Sequence, residues 1–312
     1  MLWAIGLVLL VLDYSWPFRG DFSYAQFWLG ILFCMIPALF LILDNDFSRR
    51  SKVFVLFTWG ITLYLLKVLR SPNFLNFQDE ILHFQTLKLI YESGTLAINP
   101  TIFKVSMYYP GLELLAVSLK SITNLSLFHT AILSIGLIHS LLPIFIFFFF
   151  ERITSIRVAA LGAFIYSGSA SYATFLSYFS YGTLGMFLVA FLAFLILKKS
   201  YKANSTLFVS CLVLLTLPTL VITHHFSSYM FLLFLIVLVF VQFYKNAIQK
   251  ESIDRKSYLN LALVTATFIF GWLIYVATIS INYLGGILTD RIMKILKFSI
   301  FEGQRELFWK FL

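Results

Sequence analysis

Charge is scarce in this sequence. Only 12% of its 312 residues are Asp, Glu, Lys or Arg, against 60% hydrophobic, and the mean hydropathy of +0.91 excludes a water-soluble fold. Cysteine is nearly missing as well: Cys34 and Cys211 each lie in an apolar run, in no motif spacing, and read as small packing residues. No repeat of 20–50 residues is visible, which sets aside solenoids and propellers. Residues 1–16 have neither a basic leader nor a small-residue cleavage site, so cleavage as a signal peptide is not expected.

What is present is apolar length. The runs are roughly 18–22 residues, the length a helix rising about 1.5 Å per residue needs to cross a ~30 Å hydrocarbon layer. The expected fold is therefore all-α: a polytopic membrane helix bundle of about nine transmembrane helices. The expected spans are 2–16, 24–43, 52–69, 130–150, 158–172, 179–197, 206–222, 228–243 and 259–284. The first is short for a span. Residues 1–286 form this module, and 287–312 are expected to be an outer amphipathic tail, ending without a stop signal as a truncated or shortened chain does.

The net charge of +9 reports orientation and not a nucleic-acid partner, because the basic residues sit between spans. Four connectors, at 44–52, 151–157, 198–205 and 244–258, hold twelve Lys and Arg. They alternate with connectors holding almost none, so these four are assigned to the cytoplasm. By parity the long insertion 70–129 faces outward, and two of its stretches, 80–93 and 112–122, have helical apolar spacing suited to the membrane surface. Gly94 reads as a helix stop. The localisation that follows is the cell membrane, multi-pass, with the active side outward.

Three groups of residues carry possible chemistry. In Asp79-Glu80-Ile81-Leu82-His83, positions three and four apart share a helix face, so an acid and the imidazole can meet. Such a set can hold a divalent cation or supply a general base. Equally, the two acids suit the positive end of a helix with His83 at the interface. It is no zinc-protease motif, since Asp79 stands where the first His belongs. His224 and His225 break a long apolar stretch on the same predicted face. They can bind a lipid phosphate, join Asp79 and Glu80 as metal ligands, or simply sit at the interface. Tyr108 and Tyr109, before Pro110-Gly111, mark a turn into an amphipathic helix. The Ser-, Gly- and Tyr-rich stretch 167–181 reads as close helix packing, without the nucleophile elbow of a serine hydrolase.

With the span 52–69, an outer loop opening on Asp79-Glu80, a helix ending at Gly94 and then Tyr109-Pro110-Gly111 before paired spans, the layout resembles the membrane glycosyltransferases of the C-type (GT-C) fold. The likeness covers about residues 52–284 and is one of layout more than of motif. It implies a sugar transferred from a polyprenyl-phosphate-linked donor to a saccharide, lipid or protein acceptor on the outer face. It also implies Asp79 as catalytic carboxylate with Glu80 beside it, and in some members a divalent metal. Substrate contacts by His83, Tyr108, Tyr109, His224 and His225 follow from topology. The other readings are a transporter or flippase of lipid-linked saccharides, for which His139 is the mid-membrane candidate, or a non-catalytic subunit of a polysaccharide-assembly complex.

Overall fold

The computed structural model describes residues 1–15, 21–98, 104–199, 206–249, 255–281, 285–286 and 289. Among them there is no strand. The helices in chain order are α1 (Leu2–Ser15), α2 (Asp21–Leu43), α3 (Arg49–Arg70), α4 (Gln78–Ser93), α5 (Gly111–Thr123), α6 (Leu127–Phe150), α7 (Ile156–Ser167), α8 (Ala170–Ala173), α9 (Tyr181–Lys199), α10 (Thr206–Thr223), α11 (His225–Gln249) and α12 (Arg255–Tyr275). Short 3-10 turns occupy Lys104–Tyr108 and Phe175–Ser177. The expected tail at 287–312 lies, apart from residue 289, outside the described residues.

Among the described residues the count of long apolar helices is smaller than nine. Five are long and apolar enough to cross a membrane: Ala25–Leu43, Arg49–Arg70, Leu127–Phe150, His225–Lys245 and Tyr258–Tyr275. The other expected spans are present as helices but shorter or bent. Leu2–Tyr14, Ile156–Ser167 and Leu207–Thr223 are short apolar helices, and Ala170–Ser177 meets Tyr181–Leu197 at 119°. The expected span 158–172 stops at α7 because Ser169 starts a new helix, its hydroxyl accepting from the Tyr172 amide at 3.3 Å. The expected 259–284 stops at Tyr275, where the Val276 and Ala277 amides both turn back to the Trp272 carbonyl at 2.9 Å.

Two apolar clusters share α3 and α6. One joins α1, α2 and α7 to them through Leu10, Cys34, Leu56, Trp59, Phe147 and Ala163. The other joins α4, α5 and α9–α12 through Leu87, Leu112, Leu192, Leu217, Phe231 and Ala262. In lipid, apolar burial contributes little between helices, so close packing through small residues matters. At the α1–α2 crossing a Cβ on Gly6 would stand 2.6 Å from Cys34 Sγ and 2.7 Å from the Gly30 carbonyl. Buried Cys34 is thus a packing residue, as its surroundings in the sequence suggest.

The two ends of the bundle differ in chemistry. At one, Arg49 pairs with Glu151, Arg157 reaches Asn45 at 3.4 Å, and Lys52 donates to the α2 carbonyls of Leu41 at 3.2 Å and Ile42 at 2.7 Å and to that of Asp44, just past the helix, at 2.5 Å. These are residues of the basic connectors. α4 and α5 lie at the other end of α3, roughly 27 Å away at 1.5 Å per residue from Arg49 to Lys67.

Candidate functional site: an exposed carboxylate above a buried histidine cluster

The N-terminus of α4 is held by one buried acid. Glu80, with no solvent exposure, pairs with Lys67 of α3 and accepts from the backbone amides of Phe179 at 2.8 Å and Asn76 at 3.3 Å. Lys67 also donates to the Ser177 carbonyl at 2.9 Å. A carboxylate taken out of water persists only when its lone pairs are this fully engaged. The result ties the end of α3, the start of α4 and the segment before α9 into one joint.

Adjacent residues on a helix are 100° apart, and here that rotation separates two acids. The buried face of α4 is Glu80, His83, Thr86, Leu87 and Ile90; Asp79 is exposed. So Glu80 and His83 share a face as the three-residue spacing predicts, while Asp79 does not join His83. Beside Asp79 the Phe77 ring stacks on Tyr178 at 3.7 Å. Burial and then the Glu80 carboxylate push the Tyr178 phenol above its usual range, with exposed Arg70 opposing and Asp79 adding to the rise. Asp79, Arg70 and Tyr178 thus form one electrostatic neighbourhood on the rim.

Beneath the rim lies a cluster built from four elements. His83 Nδ1 is 2.8 Å from Oε1 of Glu113 on α5, both residues being buried. Glu113 Oε2 is buried without a hydrogen-bond partner. The edge of His83 meets the Tyr181 ring at 4.3 Å, and Tyr181 packs on His224 at 4.7 Å. His224, the one non-helical residue between α10 and α11, has Nδ1 2.7 Å from Ser227 Oγ. Burial first, then His225 and His83, lower its imidazole to about 3, so it is neutral near pH 7. His225 packs against Tyr109 at 5.1 Å and lines a cavity of about 10 Å³ with Tyr109, Ser228, Tyr229 and Trp272. Burial raises the Tyr109 phenol.

Glycine permits this convergence. A Cβ on Gly111 would stand 2.1 Å from Thr223 Oγ1, so α5 touches the end of α10 directly, and one on Gly185 would stand 2.6 Å from Ser227 Oγ.

Of the residues singled out from sequence, His83, Tyr109, His224 and His225 come together, Glu80 anchors from beside them, Asp79 stands on the rim, and half-buried Tyr108 accepts from the Trp272 indole through its carbonyl at 3.0 Å. Lys67, Glu113 and Tyr181 were missed. The visible signals were a lysine inside an apolar span and a lone acid in the first turn of an apolar helix. Of the four residues named as metal candidates, Glu80 is bonded to Lys67, and among the described residues no group of three His, Cys, Asp or Glu side chains is placed to hold an ion. His139, the mid-span candidate for a transport path, has its ring nitrogens 3.2 Å and 3.1 Å from the Gly60 and Tyr172 carbonyls. No protein-family model matches the chain, and neither a curated protein nor a solved structure matches it.

Proposed function

We propose that this protein is a membrane glycosyltransferase that moves a sugar from a polyprenyl-phosphate-linked donor to an acceptor hydroxyl at the outer face. The observation that carries this reading is the exposed Asp79 on a helix start locked by Glu80, Lys67 and the Phe179 amide. A general base must be reachable by substrate and fixed in position. Asp79 satisfies both demands.

In this scheme the acceptor oxygen attacks the anomeric carbon, the bond from that carbon to the phosphate oxygen breaks, and the acceptor proton passes to Asp79. Negative charge then grows on the departing lipid phosphate. Arg70, exposed on the same rim, supplies the countercharge as a guanidinium donor to phosphate. His224 is half-buried and, among the histidines, is the one assigned to donor contact; the buried His83, braced by Glu113, holds Tyr181 and through it His224.

The test is transfer from a radiolabelled polyprenyl-phosphate sugar by purified protein in lipid. Asp79→Asn is expected to lower turnover by about 10²–10⁴, and His224→Ala to weaken donor binding. Turnover by Asp79→Asn equal to wild type would remove Asp79 as the base.

A further inference from the structure

The opposite end of the bundle carries a second feature, unrelated to the rim chemistry. An open groove of about 620 Å³ runs beside the start of α3. Its walls are the apolar side chains Trp3, Leu41, Phe54 and Val55 with Thr58, and Arg50 stands among its lining residues. From Arg50 to Thr58 the groove follows about 12 Å of helix. Trp3 is fixed there, its indole nitrogen donating to Thr62 at 3.1 Å and its ring edge-on to Trp59 at 6.4 Å.

The neighbouring cations are engaged. Arg49 is bound by Glu151, Lys52 by three carbonyls, and Arg157 by Asn45. Exposed Arg50 has no hydrogen bond or ion pair to a side chain among the described residues. The nearby Asp44 carboxylate accepts from the Asp46 amide at 2.9 Å within its own turn. An open apolar channel with an unengaged guanidinium at the helix start matches the chemistry of an amphiphile's anionic head and hydrocarbon tail.

We propose that this groove is a binding site for an anionic phospholipid, its phosphate on Arg50 and an acyl chain along Val55 and Thr58 toward Trp3. The occupant is a lipid and not a free phosphate, because every wall beyond the guanidinium and the Ser51 hydroxyl is apolar or a lone threonine. Site and lipid are independent of any sugar transfer at the rim.

The experiment is native mass spectrometry of the purified chain titrated with phosphatidylglycerol or phosphatidylcholine. Wild type is expected to retain phosphatidylglycerol in preference. Arg50→Gln should weaken that retention about fivefold with phosphatidylcholine unchanged, and Arg50→Lys should keep most of it. Thr58→Trp, which fills the channel, should weaken both lipids, while Lys88→Gln at the far end should change neither. Equal retention of phosphatidylglycerol by wild type and Arg50→Gln, or displacement of the lipid by soluble glycerol phosphate at equal concentration, would overturn the proposal.

Discussion

Asp79 and Glu80 are neighbours in sequence and opposites in environment. One helical step puts Asp79 in solvent and Glu80 at no exposure, against Lys67 and two backbone amides. Acids of the same chemistry therefore have separable jobs: the buried one holds the joint, and the exposed one is free to meet a substrate. A carboxylate pair in a sequence is not in itself a catalytic pair.

The sharpest way to separate the two is to remove each. Glu80→Ala leaves the Lys67 ammonium and the Phe179 amide without their partner, and losing one member of a buried ion pair costs about 3–5 kcal/mol. Unfolding followed by circular dichroism in mild detergent should show that loss. Asp79→Asn, on the surface, should stay within about 0.5 kcal/mol of wild type while losing transfer. If Glu80→Ala is as stable as Asp79→Asn, the joint does not hold α4 and the division of labour fails.

The floor of the site can be disturbed without touching either acid. Gly111→Ala places a methyl 2.1 Å from Thr223 Oγ1, which forces α5 away from α10; overpacking of this kind costs about 1–3 kcal/mol. Because Glu113 sits two residues further along α5, its bond to His83 should loosen as well. Thr223→Ala added to Gly111→Ala removes the hydroxyl in the way and should recover part of the loss, a coupling that a double-mutant cycle reads directly. Additive effects would show that the close approach of the helices is not what the glycine serves.

How much of this was legible in the sequence depends on the range of the interaction. Local signals held: Gly94 is left-handed at φ 64° and ends α4, Pro110-Gly111 opens α5, and the spacing of Glu80 and His83 places them on one face. Span parity put α4 and the His224 turn on one expected face, and in the fold His83 reaches His224 through Tyr181. The partners did not follow. Glu113 lies 30 residues from His83 and Glu80 lies 99 from Phe179, and no local period encodes such pairings. Span limits were also hard to read, since helices apolar all round carry no periodicity to mark where one breaks. The 119° bend before Tyr181 falls in the Ser-, Gly- and Tyr-rich stretch read as close helix packing, and it brings that ring between His83 and His224.

The same contrast of rim and floor predicts a modest dependence of stability on pH. His224 is lowered from 6.5 to about 3 by burial and by His225 and His83, so the folded state favours the neutral ring. Between those values the unfolded chain binds the proton and the folded one does not; stability contributed by His224 is complete above about pH 6.5 and is lost as pH falls toward 3. Glu113 on α5, Tyr181 on α9 and the two other histidines face the same space, so the response belongs to the cluster as a whole. Thermal unfolding should shift down by roughly 2–4 °C between pH 7 and pH 5, and His224→Gln, which is not protonated in this range, should flatten the slope. Asp79→Asn should leave the slope as it is, because Asp79 lies on the exposed side of the division. An undiminished slope in His224→Gln would mean that the acid sensitivity lies elsewhere in the bundle and that the floor is not held by a neutral imidazole.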